Sequence, residues 1–200
     1  QRACSRSVLR ARTKRVMEPN LVERAHAGDE RAFEALTVTW HPSLFRVAFG
    51  VLRDTELAED ATQRAFLEIW RWLPRLRETE AFEGWAMGHL LRTCRVLEAD
   101  QAEDEKTRDV ASDSYGVESL GAFIDRDQLS RGFGRLDFAD RAVLVLRFLG
   151  GLDDDVVAPA LGLKTNAVDA RANAALDALD AFLDGDAASS PELTPQVEGA

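Results

Sequence analysis

This chain predicts an all-α protein made of two small helical domains, and three observations carry that. Apolar residues recur at three- and four-residue spacing from about residue 20 to 97 and again from about 119 to 184. No stretch shows the apolar–polar alternation of a half-buried strand. Between the helical parts, residues 98–118, EADQAEDEKTRDVASDSYGVE, turn polar and mostly acidic, the composition of a flexible solvated linker.

The elements follow in order. The first sixteen residues, QRACSRSVLRARTKRV, hold six cations and no acid and are expected to be disordered. They read as a nucleic-acid arm or transit-like peptide, or as translated sequence ahead of the true start; Met17, directly before a helix entry, favours the second. The first domain then spans 17–97. Asn20 followed by Glu23 is a capping box for a helix that Gly28 stops. Asp29 opens the next, DERAFEALTVTW, with Phe33 and Leu36 inward. Pro42 sits near the start of a further helix, PSLFRVAFGVLR, where proline is tolerated. Asp54 caps TELAEDATQRAFLEIWRWL, which Pro74 closes, and EAFEGWAMGHLLRTCRVL runs from about 80 to 97. The second domain spans 119–184. Residues 185–200, small, polar and proline-containing, are expected to be a disordered tail.

Charge and chemistry narrow the function. The net charge of −10 divides into +6 on residues 1–16 and −16 on the rest. An acidic body repels phosphate, since nucleic-acid affinity rests on cations displacing condensed counterions. No apolar run approaches the ~20 residues of a membrane span, so no membrane insertion is expected. Cys4 and Cys94 make no disulfide framework, which suits a reducing cytoplasm. His26, His41 and His89 show no metal-ligand spacing. No phosphate loop, nucleophile elbow or paired-carboxylate motif stands out, so neither an enzyme nor a cofactor is expected.

In LAEDATQRAFLEIWRWLPRL, Leu57, Ala61, Ala65 or Phe66, Ile69 or Trp70, and Leu73 trace a buried face. Glu59, Asp60, Gln63, Arg64, Glu68 and Arg71 lie opposite, which by itself is what any solvated helix face looks like. With AFEGWAMGHLLR after it, the segment resembles the second conserved region of extracytoplasmic-function sigma factors, on Ala58-Glu59-Asp60, Gln63, Phe66, Trp70, Phe82 and Trp85. The resemblance implies that Glu59, Asp60, Gln63 and Arg64 face the β′ clamp of core RNA polymerase, with Phe66, Trp70 and Trp85 in the core. In the family the helix after Trp85 holds the melted −10 element and ends in a basic run. Here Arg92 and Arg95 remain, but Glu98, Asp100, Glu103, Asp104 and Glu105 replace the run. An acidic stretch opposes a single strand, which calls for a cationic groove.

Residues 124–183 resemble the fourth region of the same family, through Leu136, Arg141, Val143, Leu144, Arg147, Leu152, Ala158, Leu161, Gly162, Val168, Arg171 and Leu179. Asp153 to Asp155 suit a helix start and Gly162 a tight turn, while Thr165 can cap the second helix of a helix-turn-helix and leave the N–H groups of 166–168 for a phosphate. The resemblance places Lys164, Thr165, Asn166, Asp169, Ala170, Arg171 and Asn173 against promoter DNA. Asp169 and Ala174 stand where the family usually has Lys or Arg, and Pro159 interrupts the first helix of the pair. The DNA-binding surface is thus degenerate. The reading is a cytoplasmic sigma factor that binds core polymerase and initiates at specific promoters, with an anti-sigma factor as a further partner. The alternative is a degenerate paralogue that engages polymerase or another regulator with weak or no DNA recognition.

Overall fold

A computed structural model describes residues 19–105 and 126–187, and every regular element among them is helical. The head 1–16, most of the expected linker and the end of the expected tail lie outside the described residues.

Helix α1, Pro19–His26, opens on a proline whose missing N–H costs nothing at that position. It starts one residue ahead of Asn20, so the expected capping box does not form the entry. Gly28 turns the chain at φ +91°, and the Asp29 N–H reaches back to the Arg24 carbonyl at 3.0 Å. Asp29 then caps α2, Glu30–Leu52, accepting from the Arg31 and Ala32 N–H groups, while Arg24 grips the same carboxylate at 2.6 Å. That arginine, and next the capping N–H groups, hold the Asp29 carboxyl below its usual range.

The chain makes one helix across Pro42 where two were expected. Pro42 is exposed, so the carbonyl it leaves without a helical donor lies on the solvent side, where water can bond it. Arg53 ends α2 in the left-handed region, at φ 62°. Asp54 caps α3, Thr55–Trp72, by accepting from the Leu57 N–H at 2.8 Å. Short 3-10 turns at Leu73–Arg75 and Thr79–Ala81 lead into α4, Phe82–Glu105. The expected linker start at 98 therefore falls inside a helix, because Leu97 is buried and Glu98 has a partner across the fold.

In the second lobe, α5 is Arg126–Arg135 and α6 is Phe138–Leu144, which widens into a π turn over Val145–Leu149. Helix α7, Asp154–Leu161, stops at Gly162 in the left-handed conformation, and α8 runs Thr165–Ala187. Helices α7 and α8 form the expected helix-turn-helix, packed on α6.

The lobes do not stand apart. One apolar core runs from Val22, Leu36 and Ile69 through Leu90 to Leu146, Val157 and Val168. The contact between lobes is α4 along α7, with α2 against α6 and its π turn.

Candidate functional site

The four residues expected to face polymerase share one side of α3. Gln63 Nε2 donates to Glu59 Oε1 at 3.1 Å, and beside it Arg64 Nε donates to Asp60 Oδ1 at 2.7 Å. From α2, His41 Nε2 lies 3.4 Å from Glu59 Oε1. The Gln63 amide, and after it His41, hold the Glu59 carboxyl below its ordinary value. Leu67, one turn further on, is 70% exposed. The opposite side of α3 is spent on Ala58, Ala61, Ala65 and Ile69 against α2 and α4. Phe66 is buried as expected, but Trp70 is 37% exposed and leans on Phe33 at 4.6 Å between ring centroids. Its neighbour Ile69 takes the core position, which leaves one side of the indole in solvent. Trp85 is half-buried, edge-on to His89.

At the start of α8, Lys164, Thr165 and Asn166 are all exposed. The helix begins at Thr165 itself, which puts Lys164 at the capping position, and the Ala167 N–H already bonds the Lys164 carbonyl at 2.9 Å. The open donor nest expected at 166–168 is therefore partly closed. Further along, Asp169 accepts from Arg147 Nη1 at 3.1 Å and from Asn173 Nδ2 at 3.2 Å. Arg147 also meets Asp154 at 3.0 Å. Asp169 thus ties the reading helix to the end of α6 and the start of α7. Arg171 turns the other way: its Nε lies 2.9 Å from Asp140 and its Nη2 3.4 Å from Asp137, both on or beside α6. The geometry brings together Lys164, Thr165 and Asn166 as a free group, and Asp169 and Asn173 as a knotted one.

The two α4 cations separate. Arg92 is exposed, 3.3 Å from His89 Nδ1. Arg95 lays its guanidinium 4.9 Å over the Phe138 ring of α6. Burial, then the Arg92 charge, hold the His89 imidazole below its ordinary value. Cys94 is fully buried on this helix, and burial pushes its thiol up to about 12. Among the described residues no cluster of His, Cys, Asp or Glu is fit to hold a metal ion, and no helix is long and apolar enough to cross a membrane.

One surface escaped the sequence reading. Past the end of α3, the Arg75 guanidinium lies 4.4 Å from the Trp72 ring centroid and that of Arg71 5.5 Å, with Arg77 exposed nearby. Trp72 Nε1 donates to Glu68 at 2.8 Å, which fixes the indole. Its sequence is RWLPRLR, three arginines around one tryptophan at a proline turn, the basic–aromatic pattern that suits a single strand.

The Sigma-70 region 2 family matches residues 36–96, which hold the polar side of α3 and most of α4. RNA polymerase sigma factor CnrH of Cupriavidus metallidurans is 30% identical over 181 residues, spanning 83% of this chain and 94% of that protein. RNA polymerase sigma-H factor of Pseudomonas aeruginosa is 27% identical over 180 residues, at 83% and 93%. Among solved structures, CnrH in complex with the cytosolic domain of CnrY superposes with a TM-score of 0.62 at 24% identity, covering 84% of this chain and 97% of that one. Sigma factor RpoE with the anti-sigma factor NepR, from Bartonella quintana, gives 0.61 at 15% identity, covering 77% and 98%.

Proposed function

Because the chain belongs to the extracytoplasmic-function family of RNA polymerase sigma factors, we propose that the polar side of α3 is its grip on core polymerase, with Glu59, Asp60, Gln63 and Arg64 against the β′ clamp. A sigma factor binds core polymerase and directs initiation at promoters; it is an initiation factor, not an enzyme. The observation that carries the α3 assignment is the division of the helix: one side is fully used in the core, and the other presents two paired polar rungs to solvent. Prealigned charges of this kind orient a partner and speed its approach. The test is retention of core polymerase by an Asp60→Arg, Gln63→Ala variant. Affinity is expected to fall about tenfold or more, the cost of setting a like charge against a basic partner surface. Unchanged retention, with an unchanged melting temperature, overturns the assignment.

For promoter DNA, Lys164, Thr165 and Asn166 are the contacts at the head of the reading helix, with Asp169, Arg171 and Asn173 behind them. Arg92, Arg95 and the Arg71–Trp72–Arg75–Arg77 surface take the melted strand. A second reading, a paralogue with weak DNA recognition, is favoured by a specific observation: Arg171 on the reading helix and Arg147 beside its start are both held by carboxylates. In vitro transcription with bacterial core polymerase on a genomic fragment library separates them. A discrete start site supports the active factor; polymerase binding without initiation supports the paralogue.

CnrH is known with the cytosolic domain of CnrY, and RpoE with the anti-sigma factor NepR. An anti-sigma partner is inferred for this chain on that basis, and the cytoplasm as its place, where polymerase and chromosome meet.

A further inference from the structure

Leu76, in the turn between α3 and α4, is held by its side chain, its N–H and its carbonyl. The side chain is 8% exposed and packs in the core. The N–H bonds the Leu73 carbonyl at 3.0 Å. The carbonyl meets Nε2 of His26, the last residue of α1 and 50 positions away, at 2.8 Å. A carbonyl only accepts, so Nε2 is the donor, and it carries that proton whether the ring is neutral or charged.

The residues on either side of Leu76 are arginines. Leu76 is extended, at φ −66° and ψ 122°, and successive side chains of an extended chain point opposite ways. With Leu76 inward, Arg75 and Arg77 turn outward, and both are exposed. Arg75 lies over the Trp72 ring, whose indole N–H is fixed by Glu68. The stacking face is thus set from α3, and the arginine pair from α1.

His26 has a firm base for this. It is half-buried, at the end of a helix that packs on both 3-10 turns of the loop. The Ala27 N–H bonds the Glu23 carbonyl at 3.0 Å and closes that end. Arg24 then grips Asp29 through Nε at 2.9 Å and Nη2 at 2.6 Å, and Asp29 caps α2. The end of α1 is riveted to the start of α2.

We propose that His26 is a positioning residue for the melted strand: by fixing Leu76 it presents Arg75 and Arg77 beside the Trp72 ring, and it acts through that turn rather than by contact with DNA. A cationic edge beside a stacking face binds a single strand better when neither has to be ordered on binding. The inference rests on the assignment of the Arg71–Trp72–Arg75–Arg77 surface made above.

Two variants test it. His26→Phe keeps a ring and removes the donor; His26→Gln puts an amide N–H at about the same reach. The full chain is assembled with bacterial core polymerase, and the probe is a mixed-sequence single-stranded DNA carrying thiothymidine, photocrosslinked to this chain. His26→Phe should lower the crosslink by about three- to tenfold, the worth of one hydrogen bond. His26→Gln should crosslink as wild type does. Both should retain core polymerase as wild type does, which a general loss of fold would not allow. Undiminished crosslinking by His26→Phe overturns the proposal, and so does a His26→Gln variant as weak as His26→Phe. If a Trp72→Ala, Arg75→Ala variant also crosslinks as wild type does, the strand assignment itself has failed. Amide exchange over residues 73–81 in the free chain then judges His26. Faster exchange in His26→Phe but not in His26→Gln upholds its hold on the turn, and equal exchange overturns it.

Discussion

Helices α3 and α8 are both amphipathic and both carry acids one turn from a polar partner, yet they use charge in opposite ways. On α3 the pairs close along the helix, Glu59 with Gln63 and Asp60 with Arg64, with one reach to Glu59 from His41 of α2. Gln63 and Arg64 are exposed and Glu59 and Asp60 half-buried, so this face is open to solvent. Around α8 the ion pairs close between helices: Asp169 with Arg147, Arg171 with Asp137 and Asp140, and only the Asn173 amide meets Asp169 along α8 itself. Those charges tie the helix-turn-helix together. A charged face is thus a binding surface or a set of fold ties according to where each partner sits, and the residue types alone do not decide.

The largest effect is expected where a cross-helix tie is buried. Arg141→Ala strips donors from two backbone carbonyls and leaves Glu98 without its cation. A cost of about 3 kcal/mol is expected, since two backbone carbonyls lose a buried charged donor, while Glu98, 37% exposed, can turn to water. For a chain of this size that lowers the melting temperature by about 6–12 °C. A drop under about 2 °C would mean that the cross-helix ties carry no more than the surface ones.

The contrast sharpens with two arginines of similar appearance in the sequence. Arg147 is 16% exposed and joins Asp154 to Asp169; Arg64 is 52% exposed and pairs along its own helix. Arg147→Ala should cost about 1–2 kcal/mol, and Arg64→Ala no more than about 0.5 kcal/mol, in urea unfolding. Equal losses would erase the distinction.

This difference also marks what could be read from the sequence. The all-helical class, the α3 and α8 frames, the caps at Asp29 and Asp54 and the turn at Gly162 were legible because each is a local signal, repeating or acting within one or two turns. The Glu59–Gln63 and Asp60–Arg64 rungs were legible for the same reason. Arg147 with Asp169, 22 residues apart, and Arg141 with Glu98, 43 apart, were not, since no spacing rule connects them. Reading Asp169 only as a charge against phosphate followed from that. Pro42 misled because proline rules speak to the backbone, and the sequence does not say which side of a helix faces water. The end of α4 was set too early because its acidic run looks like solvent-facing linker until Arg141 arrives from the other lobe. The Arg71–Trp72–Arg75 surface was legible but looked like the tail of a core helix.

Asp169→Asn tests the tie on DNA itself. Removing the carboxylate loosens Arg147 and deletes a charge that opposes phosphate. Duplex affinity, by fluorescence anisotropy, should rise a few-fold, and the slope of log affinity against log salt should steepen by up to about 0.9, the value of one added phosphate contact. An unchanged slope would mean that Arg147 stays with Asp154 and that the reading helix gains no contact.

The smallest effect concerns α4, the helix that both lobes share. His89 is buried on it, with Arg92 on the same helix lowering its proton affinity and Glu68 of α3 raising it to a lesser degree. Burial dominates, so the folded imidazole binds a proton more weakly than the unfolded one. As pH falls below about 6.5, the unfolded chain protonates first. Stability therefore declines from there down to the lower folded value and levels off below it. His89→Gln removes this step. Urea midpoints for wild type should fall between pH 7.5 and 5.5 by more than those of the variant. Parallel curves would place His89 in contact with water, and with it the side of α4 that the packing of Trp85 at 4.4 Å otherwise closes.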